Sequence, residues 1–493
     1  MKQFFGMNNK KYTLGKFKGK GAEGSVYELV GESDIVAKIY HDTKIKNEKD
    51  HEELDQKLQT MVNMKITPYV DGVLRFAWPL DVLYSDGKMV GFVMPAIKEK
   101  TRIFDVERTS RTCPKAPWEQ RVCTMFPNFN YKFKVQIAYQ LAYLFDYLHR
   151  NNIIIGDLNP NNFYVNKNGP IFIDCDSYTI ITKNRVFPCT VGFPEMLPPE
   201  LQIKGSFRGK FTVESDNFGL AVRIFRLLMR NQDPFGGIPT SNHSTSTLTE
   251  LNYNIIKGNC PYVRKSEITV KKDSPTLDIL PQTIQNCFNK TFNYTPMTAI
   301  KKTTIQNRTT ALEWCKALLP LAEKEPNPNY KKCRKNKYHV YPKQNCSCPW
   351  CALENGTYQQ QPIRKPQTTR QAQTTNQKVI HKPTIQTHTV QKQNNPVSLF
   401  YGMLISFGLI GAYLFSGSLR SVLLEIGIMI PTMYSVGILA LIDMVIVWIL
   451  ANKFTDNYKR ADSMWLYLIG TVFMLIVPLL VVLILAMIIN IIG

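Results

Sequence analysis

The sequence is short of acid: its 493 residues carry 38 Asp+Glu against 60 Lys+Arg, a formal net charge of +22. That deficit leaves two kinds of anionic neighbour open, nucleic acid and an anionic lipid surface. The opening residues, MKQFFGMNNKKY, lack an apolar h-region, so no cleaved signal peptide is expected. A disulfide framework is also missing. The 11 cysteines are odd in number and mostly scattered, which points to a reducing compartment. Residues 356–396 have few aliphatics and are rich in Gln, Thr, Pro, Lys and Asn. They cannot bury a core and are expected to form a disordered basic linker. The chain is too long for one small core, so several domains are expected.

The most informative stretch is 153–178, IIIGDLNPNNFYVNKNGPIFIDCDSY. Asp157 is followed five residues later by Asn162, and Asp174 comes just after the apolar run 170–173. An Asp and an Asn on one tight loop, with a second Asp at a neighbouring strand end, can converge on one point. Carboxylate and amide oxygens suit Mg²⁺, and a further carboxylate can orient a hydroxyl nucleophile.

Upstream, residues 12–40 read as strand, glycine loop, strand, turn, strand. GKGAEGSVY places Gly19, Gly21 and Gly24 in a G-x-G-x-x-G-x-V array ending at Val26. Glycines let a backbone approach phosphates closely. A dinucleotide-binding glycine array opens a helix, whereas here β-prone residues follow. Lys38 lies in the next strand, IVAKIY. Residues 44–64 carry Leu54, Leu58 and Met61 at helical spacing. Residues 75–97 read as two strands around an Asp86–Gly87 turn. Residues 101–129 read as irregular, and 131–150 as an amphipathic helix.

In order and spacing these features resemble the protein-kinase family: glycine loop, V-A-I-K lysine, catalytic loop, D-F-G turn, P-E segment at Pro199–Glu200, and an anchoring Asp216. The resemblance covers about 12–320 and implies a bilobal α+β fold, with an N-lobe over 1–97 and a C-lobe over 98–325. It implies ATP and Mg²⁺. Gly19, Gly21, Gly24 and Val26 would cover the nucleotide, and the backbone of Met94 and Ala96 would hold adenine. Lys38 would pair with phosphates, Asn162 and Asp174 would hold Mg²⁺, and Asp157 would orient the acceptor hydroxyl. A helix carboxylate would steady Lys38; Glu48, Glu52 and Glu53 are the candidates and Glu53 is preferred. Arg308 would pair with Glu200. The wording resembles a bacterial, eukaryotic-like Ser/Thr kinase branch, whose members often sit beside PP2C-type phosphatases and von Willebrand A-type proteins. The chain departs from the family at Ile155-Gly156, Asn159, Phe193 and Asp174-Cys175-Asp176, where an Arg, a Lys, a Thr and the Phe-Gly of the D-F-G turn would stand. These losses bring in an alternative, a pseudokinase scaffold that binds nucleotide or a partner without transferring phosphate.

Residues 326–355 change character. Cys333, His339, Cys348 and Cys351 form a Cys₃His set suited to tetrahedral, structural Zn²⁺, with Cys346 as a spare. A redox role for the C-x-x-C finds no thioredoxin-like pattern around it. From 397 to 493 the chain is apolar. Runs at 398–416, 426–451 and 463–492 reach the length of roughly 20 residues that a membrane helix needs. Lys453, Lys459 and Arg460 lie on the cytosolic side of the topology in which the C-terminus is outside. The expected whole is a kinase-like domain with protein substrates, a zinc-ribbon-like module, a linker, and an all-α transmembrane region set in membrane lipids. Nucleic-acid binding is the weakest class.

Overall fold

The computed structural model describes residues 2–360 except 43, 45, 46, 65, 111–115, 204–209, 241–249 and 324–325. The chain divides into units 1–370 and 371–493, and every described residue belongs to the first. The three apolar runs lie outside the described residues. Among the described residues no helix is long and apolar enough to cross a membrane.

The N-terminal part is an antiparallel barrel of β1 (Gln3–Phe5), β2 (Lys11–Lys20), β3 (Gly24–Leu29), β4 (Glu32–Tyr40), β5 (Asp81–Ser85) and β6 (Lys88–Pro95). Their order is β1-β2-β3-β4-β6-β5, and β5 closes on β1 at Tyr84 and Phe5. The β5–β6 turn has Asp86 and Gly87 both at positive φ, 50° and 76°. That handedness matches the twist of the strands it joins. Helix α1 (Glu48–Asn63) is capped by Asn47, whose side chain accepts from Asp50 N at 2.8 Å. It lays Leu58 and Met61, both 0% exposed, against its neighbours. Each such burial contributes about 1.5–3 kcal/mol.

The C-terminal part is helical and has its own, larger core. Residues 101–129, expected to be irregular, contain α2 (Ile103–Arg108) and α3 (Pro117–Met125). Neither declares itself by apolar periodicity. The first is tied by Asp105 to Arg102 and Arg108, and in the second Glu119 reaches back to Ala116 N at 3.1 Å. Helix α4 (Tyr131–Arg150) starts at Asn130, which accepts from Phe133 N. A hairpin of β7 (Phe163–Asn166) and β8 (Gly169–Phe172) follows. Helix α5 (Val213–Leu228) is buried all round from Ser215 onward, as befits a helix at the centre of a core. Helices α6 (Gln282–Phe292) and α7 (Ala311–Ala322) pack on it and on α4. The barrel has two small cores of its own, the helical core also takes in Met61, Phe76 and Trp78, and strands set apart from helices make this an α+β arrangement of two lobes.

The cysteine-rich segment forms a hairpin of β9 (Tyr330–Lys332) and β10 (Val340–Pro342), then α8 (Pro349–Glu354). It is not a free-standing module. Trp350 stacks on Tyr131 of α4 with ring centroids 4.7 Å apart, and Gln344 and Asn345 both donate to Ile279 O at 2.9 Å. The linker expected from 356 also starts later. The Tyr358 hydroxyl meets Asp278 and Thr276, and Gln360 Nε2 donates to Lys271 O at 2.6 Å.

Glu200 and Arg308 form the expected pair through two parallel hydrogen bonds of 2.7 Å, with Arg308 only 2% exposed. Removing one partner of such a pair strands the other charge away from water. Arg308→Ala should therefore lower stability by about 3–5 kcal/mol in denaturant unfolding of the full chain. Arg308→Lys, which lacks the planar fork, should recover only part of that loss.

Candidate active site

The site lies where the barrel meets the helical lobe. Its loop, residues 155–162, is hung from α5. Asp216 is 1% exposed and accepts from Ile155 N at 2.8 Å through Oδ2 and from Gly156 N at 2.9 Å through Oδ1, while His149 Nε2 stands 3.0 Å from Oδ2. Gly156 has φ +71°, and a Cβ there would sit 2.9 Å from Cys189 Sγ. The residue standing where an arginine was expected is therefore one that the local backbone requires. Arg223 of α5 adds a second support, donating to Leu158 O at 3.1 Å and pairing with the buried Glu107 at 2.8 Å. Neither residue is legible as part of the site from sequence spacing.

On this loop Asn162 Nδ2 donates to Asp157 Oδ2 at 3.0 Å, which leaves Asn162 Oδ1 turned to other partners. Asn159 N donates to Asp157 Oδ1, and the Asn159 side chain caps the turn at Pro160–Asn162. The expected lysine is thus replaced by a loop-stiffening amide. Burial raises the Asp157 pKa, and the hydrogen bonds from Asn162 and Asn159 partly oppose it. The nearby Asp174 carboxylate acts in the same direction as burial.

Asp174 has φ +54°, a left-handed conformation that Asp tolerates, and its side chain is half exposed. Cys175 behind it is fully buried in the helical core and donates to Phe172 O. The turn therefore keeps an apolar anchor, contrary to the expected loss. Lys38, 6% exposed, reaches Asp174 Oδ1 at 3.1 Å and Asp176 at 3.0 and 2.9 Å. The Tyr40 hydroxyl donates to Asp176 Oδ2 at 2.8 Å. Burial opposes the Lys38 charge, but Asp176 and Asp174 outweigh it and hold its pKa above the ordinary value. Burial likewise opposes the Asp176 charge, and Lys38 outweighs that too, lowering its pKa.

Glu53 does not reach Lys38. It is half-buried and stands 3.7 Å from Arg185. Glu52 accepts from Gln56, and Glu48 is exposed at the start of α1. Of the glycines, only Gly24 is sterically required in this state, since a Cβ there would lie 2.6 Å from Ile39 O. Gly19 faces open space, and Gly21 N donates to Gly24 O at 2.8 Å. Val26 sits opposite Lys38 in the β3–β4 ladder, and Met94 opposite Val36. Ala96 N donates to Asp34 O at 2.8 Å, so it is the Ala96 carbonyl that remains to offer to a base.

The Cys₃His set also converges. Its ligand atoms all lie within 4.8 Å of one another, with Cys333 Sγ 3.5 Å from Cys351 Sγ, and His339 Nδ1 3.3 Å from Cys351 Sγ and 3.5 Å from Cys348 Sγ. A tetrahedral zinc site has edges of roughly 3.5–3.8 Å, so the donor set fits that ion. Cys346 is exposed and outside the set. Glu354, which spacing alone does not flag, stands 3.2 Å from His339 Nε2 and orients Nδ1 toward the sulfurs.

The chain is 31% identical over 351 residues to the protein named Protein kinase YegI of Escherichia coli (strain K12), which covers 70% of this chain and 49% of that protein. A second protein of that name, from Escherichia coli O157:H7, is 31% identical over 350 residues. The chain spans about half the length of the curated relatives it matches. This similarity supports a protein-kinase family. No protein-family model matches the chain.

Asp157 must be ionised to accept a proton, and its pKa is raised. Turnover should therefore fall as pH drops through a value above the ordinary Asp pKa of about 3.9. A pH–rate profile of phosphate transfer checks this. In Asp157→Asn the limb should vanish and turnover should drop on the order of 100-fold or more.

Proposed function

We propose that the chain is a protein kinase that transfers the γ-phosphate of ATP to a Ser or Thr hydroxyl of protein substrates. One observation carries the reading: Lys38, Asp157, Asn162 and Asp174 meet where the two lobes join. The similarity to proteins named protein kinase supports it. Lys38, held charged in a dry setting, faces phosphate oxygens under the glycine loop. Asp157 orients the acceptor hydroxyl and takes up its proton. Asn162 Oδ1 and the exposed Asp174 carboxylate would hold Mg²⁺, whose charge offsets that of the phosphates. Such a reaction depends on positioning and electrostatics more than on covalent help from the protein, so the missing loop lysine slows the site without disabling it. The preference for Ser and Thr rests on the sequence resemblance alone, as do a PP2C-type phosphatase and a von Willebrand A-type protein as partners.

The Cys₃His set is read as a structural Zn²⁺ site, supported by its closed ligand set and by the carboxylate behind His339. The apolar runs 398–416, 426–451 and 463–492 are read as three membrane helices that tether the kinase at the cytoplasmic face of a cell membrane. The basic linker lies near anionic headgroups.

The full chain with labelled ATP and Mg²⁺ should phosphorylate itself or an added protein, and Asp157→Asn should abolish the label while nucleotide binding persists. Asp174→Asn should weaken Mg²⁺–nucleotide binding as well. Nucleotide binding with no transfer under Mg²⁺ or Mn²⁺ would instead favour a pseudokinase. Elemental analysis should find about one zinc per chain, lost in Cys348→Ser/Cys351→Ser. A well-folded, metal-free chain would refute the zinc reading.

A further inference from the structure

Helix α1 buries a lysine, not a carboxylate, on its apolar face. Lys57 lies three residues after Leu54 and four before Met61, on the face that α1 buries. It is 7% exposed and has no hydrogen bond or ion pair among the described residues. Burial lowers its pKa. The α1 carboxylates point elsewhere: Glu53 to Arg185, Glu52 to Gln56, and Glu48 to solvent. Meanwhile Asp176, 3% exposed, grips Lys38 with both oxygens and is braced by Tyr40.

We propose that Asp176 is the residue that positions Lys38 for phosphate, in place of a carboxylate from α1. The carboxylate expected on the helix sits instead on the turn. The inference deepens the kinase reading and rests on it. Asp174 offers its half-exposed oxygens to a cation, whereas Asp176, two residues later, is sealed against the lysine. One 3₁₀ turn, Cys175–Ser177 with Asp174 as its cap, thus sets both the metal-facing carboxylate and the phosphate-facing ammonium.

The test uses the full chain and reads Mg²⁺–nucleotide Kd by direct binding, KM for ATP, kcat, and thermal unfolding. A displacement of about 1 Å in a positioned group can cost on the order of 100-fold. Asp176→Asn and Asp176→Gly should raise Kd and KM by roughly 10- to 100-fold, with kcat falling less than in Asp157→Asn. Tyr40→Phe removes one brace, leaves the ring in place, and should raise KM several-fold even if the Asp176 variants fail to fold. A folded Asp176→Asn that binds nucleotide like the wild type overturns the proposal. So does an unchanged KM in Tyr40→Phe, or a loss in Glu53→Gln as large as that in Asp176→Asn. If the wild type binds nucleotide but transfers no phosphate, the kinase reading fails, and the Kd values still decide the role of Asp176.

Discussion

Two backbone N–H groups, those of Ile155 and Gly156, end on one buried carboxylate, Asp216. Without that anchor they would be donors sealed from water, a cost of about 1–3 kcal/mol each. With it, a loop that carries no regular structure is held to the most buried helix of the molecule. Asp157 and Asn162 inherit their positions from it. So does the strand hairpin that ends at Asp174, since Ile173 N donates to Asn162 O at 2.9 Å. The order of dependence runs from core helix to loop, from loop to hairpin, and from hairpin to acidic turn.

The barrel contributes to this scaffold mainly one charge. Lys38 leaves a strand whose neighbours are apolar, and an ammonium there is tolerated because two carboxylates from the other lobe meet it. The lobes are therefore joined at the site by an ion cluster, and away from it by an apolar seam in which Phe76 packs on Phe172 and Tyr147. Lys57 adds a second positive charge on the barrel side, and burial lowers its pKa to about 8. The aromatic rings of Tyr40 and Phe92 flank Lys38, each 5.7 Å from its ammonium, and limit where it can move.

Much of this was legible as spacing. Lys38, Asp157, Asn162 and Asp174 stand out because polar residues at fixed offsets beside apolar strand runs have few structural uses. Asp216, Glu200 and Arg308 were reached only through the resemblance to the ordered landmarks of the protein-kinase family. Asp176 and Lys57 were missed for a different reason. Which carboxylate reaches a lysine depends on helix rotation and turn geometry, and the preference for Glu53 rested on its place beside the apolar stripe of α1. Helices α2 and α3 escaped notice because salt bridges and caps define them rather than a hydrophobic period. The docking of the cysteine-rich hairpin on α4 depends on Trp350 meeting Tyr131, a contact between residues far apart in sequence that no local pattern announces.

The Glu200–Arg308 pair closes a loop of 108 residues. Ring closure over such a length costs only slightly more entropy than over half of it, but it sets an order in time. On a chain made from its N-terminus, Glu200 emerges long before its partner exists. The loop hung on α5 is nearby in sequence and can be assembled early, whereas the segment around Glu200 must wait for α7. Gln136 waits as well, since its side chain donates to Ala322 O at the end of α7. A ribosome that stalls before Arg308 would thus hold a chain whose chemistry-bearing loop has all its residues but whose lobe has no closing clasp, and this is the interval in which chaperones and proteases would meet it.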